Sequence, residues 1–185
     1  MAANKIRLID SDVISNILKT ASRSDIDVNI INTNVNLKLI TTSLVMQEVN
    51  AYIRKFKDEE KNNETVLYHK KIWRSIHGTF EIKQIKTDPS TLKNLGERSL
   101  IETIPKLNTD KYAIVSNNKK DIMQLFKKNN ITANHYKTPF EFYEEMEKYW
   151  FKNNYKELIK FMILSNRDFK IIKKMNLGNI LYKVQ

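Results

Sequence analysis

Lys5-Ile6-Arg7-Leu8-Ile9-Asp10-Ser11-Asp12-Val13-Ile14-Ser15 is the stretch on which the reading of this chain turns. Its first half is a short, mostly apolar run that ends on an acid, as a buried strand does. Ser11 and Asp12 then offer helix-capping oxygens, and Val13, Ile14, Ile17 and Leu18 follow at helical spacing. The same strand-then-helix pattern recurs downstream. Leu39-Ile40-Thr41-Thr42 is strand-like and leads into a helix from Ser43, with Leu44, Val45, Val49, Tyr52, Ile53 and Phe56 on its apolar side. Phe80 to Lys86 alternates apolar and polar residues, which predicts a half-buried strand. Leu92 to Ile104 is predicted to be helical and to stop at Pro105. Tyr112 to Ser116 is the clearest buried strand, Asp121 to Lys128 is a predicted helix, and Ile131-Thr132-Ala133 is the candidate final strand. Between these, Asp25 to Asn36 reads as a loop, Val66 to Ile76 as a helix and Asp88-Pro89-Ser90 as a break.

Strands separated by helices predict an α/β fold, with a parallel sheet covered on both faces. Such folds bind ligands beyond the carboxyl ends of their strands. Asp10 and Asn117-Asn118 both fall there. After Thr138-Pro139 the chain changes character. Phe140 to Trp150, Tyr155 to Leu164 and Asp168 to Met175 all read as aromatic- and lysine-rich helices. The expected organisation is therefore a sheet domain over residues 1–138 and a helical extension, residues 139–185, packed against it.

The 185 residues suffice for a sizeable core, and 41% hydrophobic with 29% charged residues is a globular composition. No apolar run is long enough for a transmembrane span. Met1 to Lys5 lack the features of a signal peptide, so the expectation is a cytoplasmic protein with no membrane partner. Cysteine is absent, which excludes disulfides and thiolate metal sites. The net charge of +11 suits a polyanionic partner, because Lys and Arg release counterions when they neutralise phosphates. A generally basic proteome would give the same charge, so this supports a nucleic-acid function without establishing it.

Three acids stand in positions that invite chemistry. Asp10 ends a strand, Glu48 lies one turn inside a helix with an apolar face, and Glu97 sits in Leu95-Gly96-Glu97-Arg98-Ser99. Asp12 follows Asp10 on the turn. Singly, each has an ordinary explanation: a helix cap for Asp10 and Asp12, a solvated face for Glu48, a helix dipole for Glu97. Together they could hold a hard divalent cation, activate water and offset charge on a phosphodiester. Gathering them is costly, since two unit charges at 4 Å repel by about 4 kcal/mol at an effective dielectric near 20. Such a cluster tends to bind a cation or to shift its pKa values.

In their order and setting these residues resemble the PIN-domain family, especially toxins of the VapC kind. The family's opening strand, Asp-Thr-Asn and helix is matched by Leu8-Ile9-Asp10-Ser11-Asp12-Val13-Ile14-Ser15. Its Ser-x-x-x-x-Glu helix start is matched by Ser43 to Glu48, and its Leu-Gly-x-Gly-Glu, in shortened form, by Leu95-Gly96-Glu97. Its last strand corresponds to Ala113-Ile114-Val115-Ser116-Asn117-Asn118. The resemblance spans residues 5–136. It implies a three-layer α/β/α sandwich and cleavage of RNA that depends on Mg²⁺ or Mn²⁺. It also implies Asp10, Glu48 and Glu97 as metal ligands, Asp12 as an assisting ligand, and Ser116 as a steadying group. At the fourth position the family has Asp, whereas this chain has Asn at both Asn117 and Asn118. An amide oxygen can coordinate a hard cation but adds no charge, and Asp121, one helical turn on, could substitute. A degraded, non-catalytic site is the other outcome of that departure. The resemblance leaves open a toxin–antitoxin or defence role, with a small protein inhibitor (an antitoxin) and a homodimer as partners.

Competing chemistries fit poorly. His69, His77 and His135 have no zinc-motif spacing, and the phosphate-loop and nucleophile-elbow patterns are absent. Of the lysine clusters, Lys119 and Lys120 flank the presumed centre and are the ones expected to meet substrate phosphates. Tyr136 and Trp73 are available for base stacking. The leading expectation is an endoribonuclease. The alternatives are a PIN-like RNA- or protein-binding module and a structure-specific DNA nuclease.

Overall fold

The computed structural model describes residues 5–21, 37–59, 80–85, 94–151 and 154–169. The readings made on Asp25 to Asn36, Val66 to Ile76 and Asp88 to Ser90, with His69, Trp73 and His77, lie outside these residues. So does the part of the last expected helix beyond Phe169.

Five strands form one all-parallel sheet: β1 (Lys5–Ile9), β2 (Leu37–Thr42), β3 (Glu81–Lys83), β4 (Tyr112–Val115) and β5 (Tyr136–Lys137), in the order β3-β2-β1-β4-β5. β1 is central, with Leu8 opposite Ile40 on one side and Ile114 on the other. Ile6, Leu8 and Ile9 are buried, as expected of a parallel strand covered on both faces. Each contributes about 1.5–3 kcal/mol by leaving water. The helices are α1 (Ser11–Ala21), α2 (Ser43–Glu59), α3 (Leu95–Thr103), α4 (Lys119–Lys128), α5 (Pro139–Glu145), α6 (Glu147–Trp150) and α7 (Tyr155–Phe169). Right-handed crossovers put α1 and α2 on one face and α3 and α4 on the other, and α1 packs on α2 as α3 packs on α4. The α/β class is therefore as expected. Among the described residues no helix is long and apolar enough to cross a membrane.

The predicted final strand needs correction. Ile131-Thr132-Ala133 is not a strand; β5 lies three residues later, at Tyr136–Lys137, paired with Ile114 and Val115. The cause is the end of α4. Asn130 takes the left-handed conformation (φ 55°), and the Ile131 N–H donates to the Phe126 carbonyl at 2.9 Å. This is a Schellman ending, with Asn in the position usually held by Gly and Ile131 packing back on the core. A single 3₁₀ turn, Ala133–His135, then delivers the chain to β5. Two smaller differences concern the helices. Phe140 to Trp150 is two pieces, α5 and α6, and α7 runs without a break through Leu164 to Phe169.

The described part of the region after Thr138 shares one core with the sheet. A capping box opens α5: the Glu141 N–H donates to the Thr138 hydroxyl oxygen, and the Thr138 N–H donates to the Glu141 carboxylate. α7 packs on α1. There the buried Asn16 amide donates to the Ser165 carbonyl at 3.1 Å and its oxygen accepts from the Tyr143 hydroxyl at 2.7 Å. Arg7, in the middle of β1, is 5% exposed. Its Nε and Nη2 both donate to Glu145 at 2.6 Å, and Nη1 donates to the Ile6 carbonyl. Burial disfavours the charged form of Glu145, but Arg7 and Lys137 outweigh it and hold its carboxyl below the usual range. Glu145→Ala should leave Arg7 buried and unpaired, at a cost of about 3 kcal/mol. Urea denaturation at pH 7 measures this, and Arg7→Met combined with Glu145→Leu should recover most of the loss.

Candidate functional site

β1 lies between β2 and β4, so the chain's path reverses direction beside it. The crevice beyond the carboxyl ends of β1 and β4 is where open parallel sheets bind ligands. Asp10 sits at its base, 3% exposed. Its N–H donates to the Val115 carbonyl at 3.1 Å, which ties the end of β1 to β4, and its carbonyl accepts from the Ile14 N–H in α1. One carboxylate oxygen accepts from the Ser11 N–H at 2.8 Å. Asp10 thus does cap α1, and its side chain also bonds the Ser116 hydroxyl. Burial, then repulsion from Asp12, raises its proton affinity; the Ser116 bond opposes this and Glu97 adds to it.

Asp12, on the first turn of α1, accepts from the Asn117 N–H through Oδ2 at 3.0 Å. Its Oδ1 is buried and has no hydrogen-bond partner. Burial, aided by Glu97 and Glu48 and opposed by the Asn117 and Val13 N–H groups, pushes its carboxyl up to about 6. Glu48 is exposed as a residue, but its carboxylate leans onto α3. There it accepts from the Gly96 N–H at 3.2 Å, and it also bonds the Ser11 hydroxyl. Desolvation and Glu97 raise its proton affinity. Gly96 permits this approach, because a Cβ there would lie 2.8 Å from Glu48 Oε2. The α3 turn is braced from beneath: the buried Ser99 hydroxyl donates to the Gly96 carbonyl at 2.6 Å and bonds Thr42 at the end of β2.

Asn118 and Asn117 do different things. The Asn118 side chain reaches inward, and its Nδ2 donates to Asp121 Oδ2 at 2.7 Å and to Glu97 Oε1 at 3.2 Å. Asn117 is exposed and contributes its N–H to Asp12. Ser116 is fully buried and links the parts: its hydroxyl oxygen accepts from the Asn118 N–H at 3.0 Å, and its carbonyl accepts from the Tyr136 hydroxyl at 2.7 Å. Burial and the nearby Asp12, Glu141 and Asp10 push the Tyr136 phenol up, so it stays a donor. Lys119 lies over the Tyr136 ring, 5.9 Å from its centre, and Lys119 and Lys120 are both exposed beside the acids.

The fold therefore brings Asp10, Asp12, Glu48 and Glu97 into electrostatic reach of one another, with Asn118 and Asp121 against Glu97. Among the described residues, no three acidic or histidine side chains are gathered closely enough to form a ready metal site. The donor set nonetheless suits a hard divalent cation. All four groups offer carboxylate oxygen, their repulsion would be relieved by positive charge, and Asp12 Oδ1 lacks any partner of its own. The sequence offered Ser11 only as a helix cap and Gly96 only as part of a motif, and assigned Ser99 no role. The packing of α2 on α1 brings Ser11 to Glu48, and its packing on α3 brings Gly96, braced by Ser99, to the same carboxylate; Gly96 beside a candidate acid was a usable signal. No protein-family model, curated protein or solved structure matches the chain.

The raised carboxyls make stability depend on pH. An acid whose folded-state pKa lies above its unfolded value near 4 binds more protons when folded, so stability falls as pH rises. For Asp12 the loss runs from about pH 4 to about pH 6. Asp12→Asn removes that term. At pH 7.5 in EDTA the variant should gain about 1–2 kcal/mol and melt a few degrees higher than wild type, while at pH 4 the two should nearly coincide. Calorimetry at both pH values measures the difference.

Proposed function

We propose that this chain is a metal-dependent endoribonuclease of PIN type. The observation that carries the reading is the set of Asp10, Asp12, Glu48 and Glu97 at the carboxyl end of the central strands, with a buried carboxylate oxygen that has no partner. Asp10, Asp12, Glu48 and Glu97 would hold Mg²⁺ or Mn²⁺, which when bound supplies an activated water and offsets the charge of the phosphodiester. The remaining residues orient these acids and the substrate. Ser116 fixes Asp10 and the Asn118 backbone. Asn118 holds Glu97 against Asp121, so that Asp121 restores near the fourth position the negative charge that Asn lacks. Lys119 and Lys120 draw RNA phosphates toward the acids. The Tyr136 hydroxyl is engaged with Ser116, and Lys119 lies over one ring face, so this residue supports the site rather than stacking on a base.

Cleavage of a mixed RNA pool by wild type and Asp10→Asn, with Mg²⁺, Mn²⁺ or EDTA, tests the reading. Metal-dependent cleavage is expected to fall at least 100-fold in Asp10→Asn. Equal cleavage by both proteins would sink it, and cleavage confined to branched DNA would reassign the substrate. A second reading, an RNA-binding protein with a degraded site, is favoured by one contact: the Asn118 amide bonds Glu97 and Asp121 without needing a cation. RNA binding that is unchanged by EDTA, with no cleavage, selects it. Gly96→Ala offers a subtler check. Its new Cβ would push the Glu48 carboxylate aside, and because that group is the end of a flexible side chain, the fold should tolerate the change. Cleavage should fall about tenfold, the equivalent of roughly 1.4 kcal/mol, with little change in melting temperature.

A further inference from the structure

A second concave site lies on the sheet face that carries α3, over the amino-terminal halves of β1 and β2 and the end of β3. Residues paired in register or two apart share a face of a sheet. Ile6 pairs with Lys38, and Thr42 pairs with Lys83, so Ile6, Lys38, Ile40 and Lys83 all project to this side. The chain between α3 and β4 covers them with Lys106, Leu107, Asn108 and Thr109. The resulting cavity is about 340 Å³, at the lower end of the range for small-molecule sites. It runs from Ile6, four residues or about 13 Å before Asp10 along the strand, across to Lys83 at the end of β3, and none of the candidate acids lines it.

The lining divides in two. Ile6, Ile40 and Leu107 form an apolar floor, while Lys38, Lys83 and Lys106 supply three ammonium groups. Lys38 and Lys83 both pair with the Glu81 carboxylate. Three lysines less one glutamate leave two net positive charges. A phosphomonoester carries about −1.5 to −2 charges at neutral pH, so it balances this rim where a single carboxylate would not. Asn108 adds an amide donor and acceptor. The Thr109 hydroxyl oxygen accepts from the Lys111 N–H, which leaves its own proton to donate. A flat, largely apolar body over the floor, with its phosphate at the lysines, fits both halves.

We propose that this cavity binds a nucleoside monophosphate, either free or as the phosphorylated end of an RNA strand. The site uses none of the candidate acids and does not depend on the nuclease reading. Its test is calorimetric titration of the full chain at low salt in EDTA, so that no divalent ion bridges phosphate to those acids. The probes are adenosine 5′-monophosphate, adenosine, inorganic phosphate and a 5′-phosphorylated RNA tetranucleotide. The monophosphate should bind at least tenfold more tightly than adenosine or phosphate alone. Lys106→Gln, at an exposed position, should weaken it about tenfold, and Lys106→Arg should restore it. Tetranucleotide binding that is likewise lost in Lys106→Gln would identify an RNA end as the source. Binding of the mononucleotide alone would identify a free nucleotide, and both outcomes uphold the site. The proposal is overturned if folded protein does not bind the monophosphate, if adenosine binds as tightly, or if Lys106→Gln leaves binding unchanged.

Discussion

The hydrogen bond from the Asp10 N–H to the Val115 carbonyl is the junction on which the candidate centre depends. It carries the pairing of β1 and β4 one residue past the last strand position, to the point where α1 begins. A carboxylate is thereby held at the base of a crevice, 3% exposed, on backbone that cannot shift without breaking the sheet. From that fixed point the other parts fall into place. α1 turns Asp12 toward the Asn117 N–H, and Ser116 reaches back to Asp10 and forward to Asn118. The second half of the site, Glu48 with Gly96 and Glu97, comes from α2 and α3, which meet beyond the end of β2.

Concentrating acids at one end of a sheet works against the fold. Asp10, Asp12 and Glu48 all hold protons more tightly than ordinary carboxyls do, in each case with burial as the largest cause and a neighbouring acid contributing. Hydrogen bonds from Ser11, Ser116, Gly96 and Asn117 offset part of that cost but do not cancel it. This pattern is common where function sets the arrangement. By contrast, the buried charge in the middle of β1 is matched: Arg7 meets Glu145 through two parallel bonds. Among the described residues a compensated buried charge, Arg7, thus lies three residues before Asp10, the first acid of an uncompensated cluster.

The alternation of strand and helix was legible because β1 and β4 are short, mostly apolar runs, while the apolar residues of α1 and α2 recur at helical spacing. Ile131 was misleading for a local reason. A β-branched residue followed by Thr and Ala looks like a strand, but its N–H is already engaged in ending α4. The acids could be named from their places at strand and helix ends. The division of labour between Asn117 and Asn118 could not, because adjacent residues leaving a strand face opposite ways and no pattern says which faces inward. Nor could the partner of Arg7, which lies 138 residues away. The extra cavity was equally hidden, since its lysines come from β2, β3 and the chain before β4 and converge only through register.

Asn16 has a consequence for the order in which the molecule can be completed. It is a buried amide on the first helix, and its partners are Tyr143 and Ser165, the second of them 149 residues further on. Arg7 likewise waits for Glu145. A chain emerging from the ribosome at about 5–20 residues per second therefore leaves Arg7 and Asn16 without their native partners, bonded to water instead, until nearly all of the chain described here has been made. Every acid of the candidate centre is synthesised before that point, but the elements that hold Asp10 and Asp12 become fully packed only when α7 closes over α1. The packing that fixes the first helix, and with it the position of Asp12, is thus among the last to form as the chain lengthens.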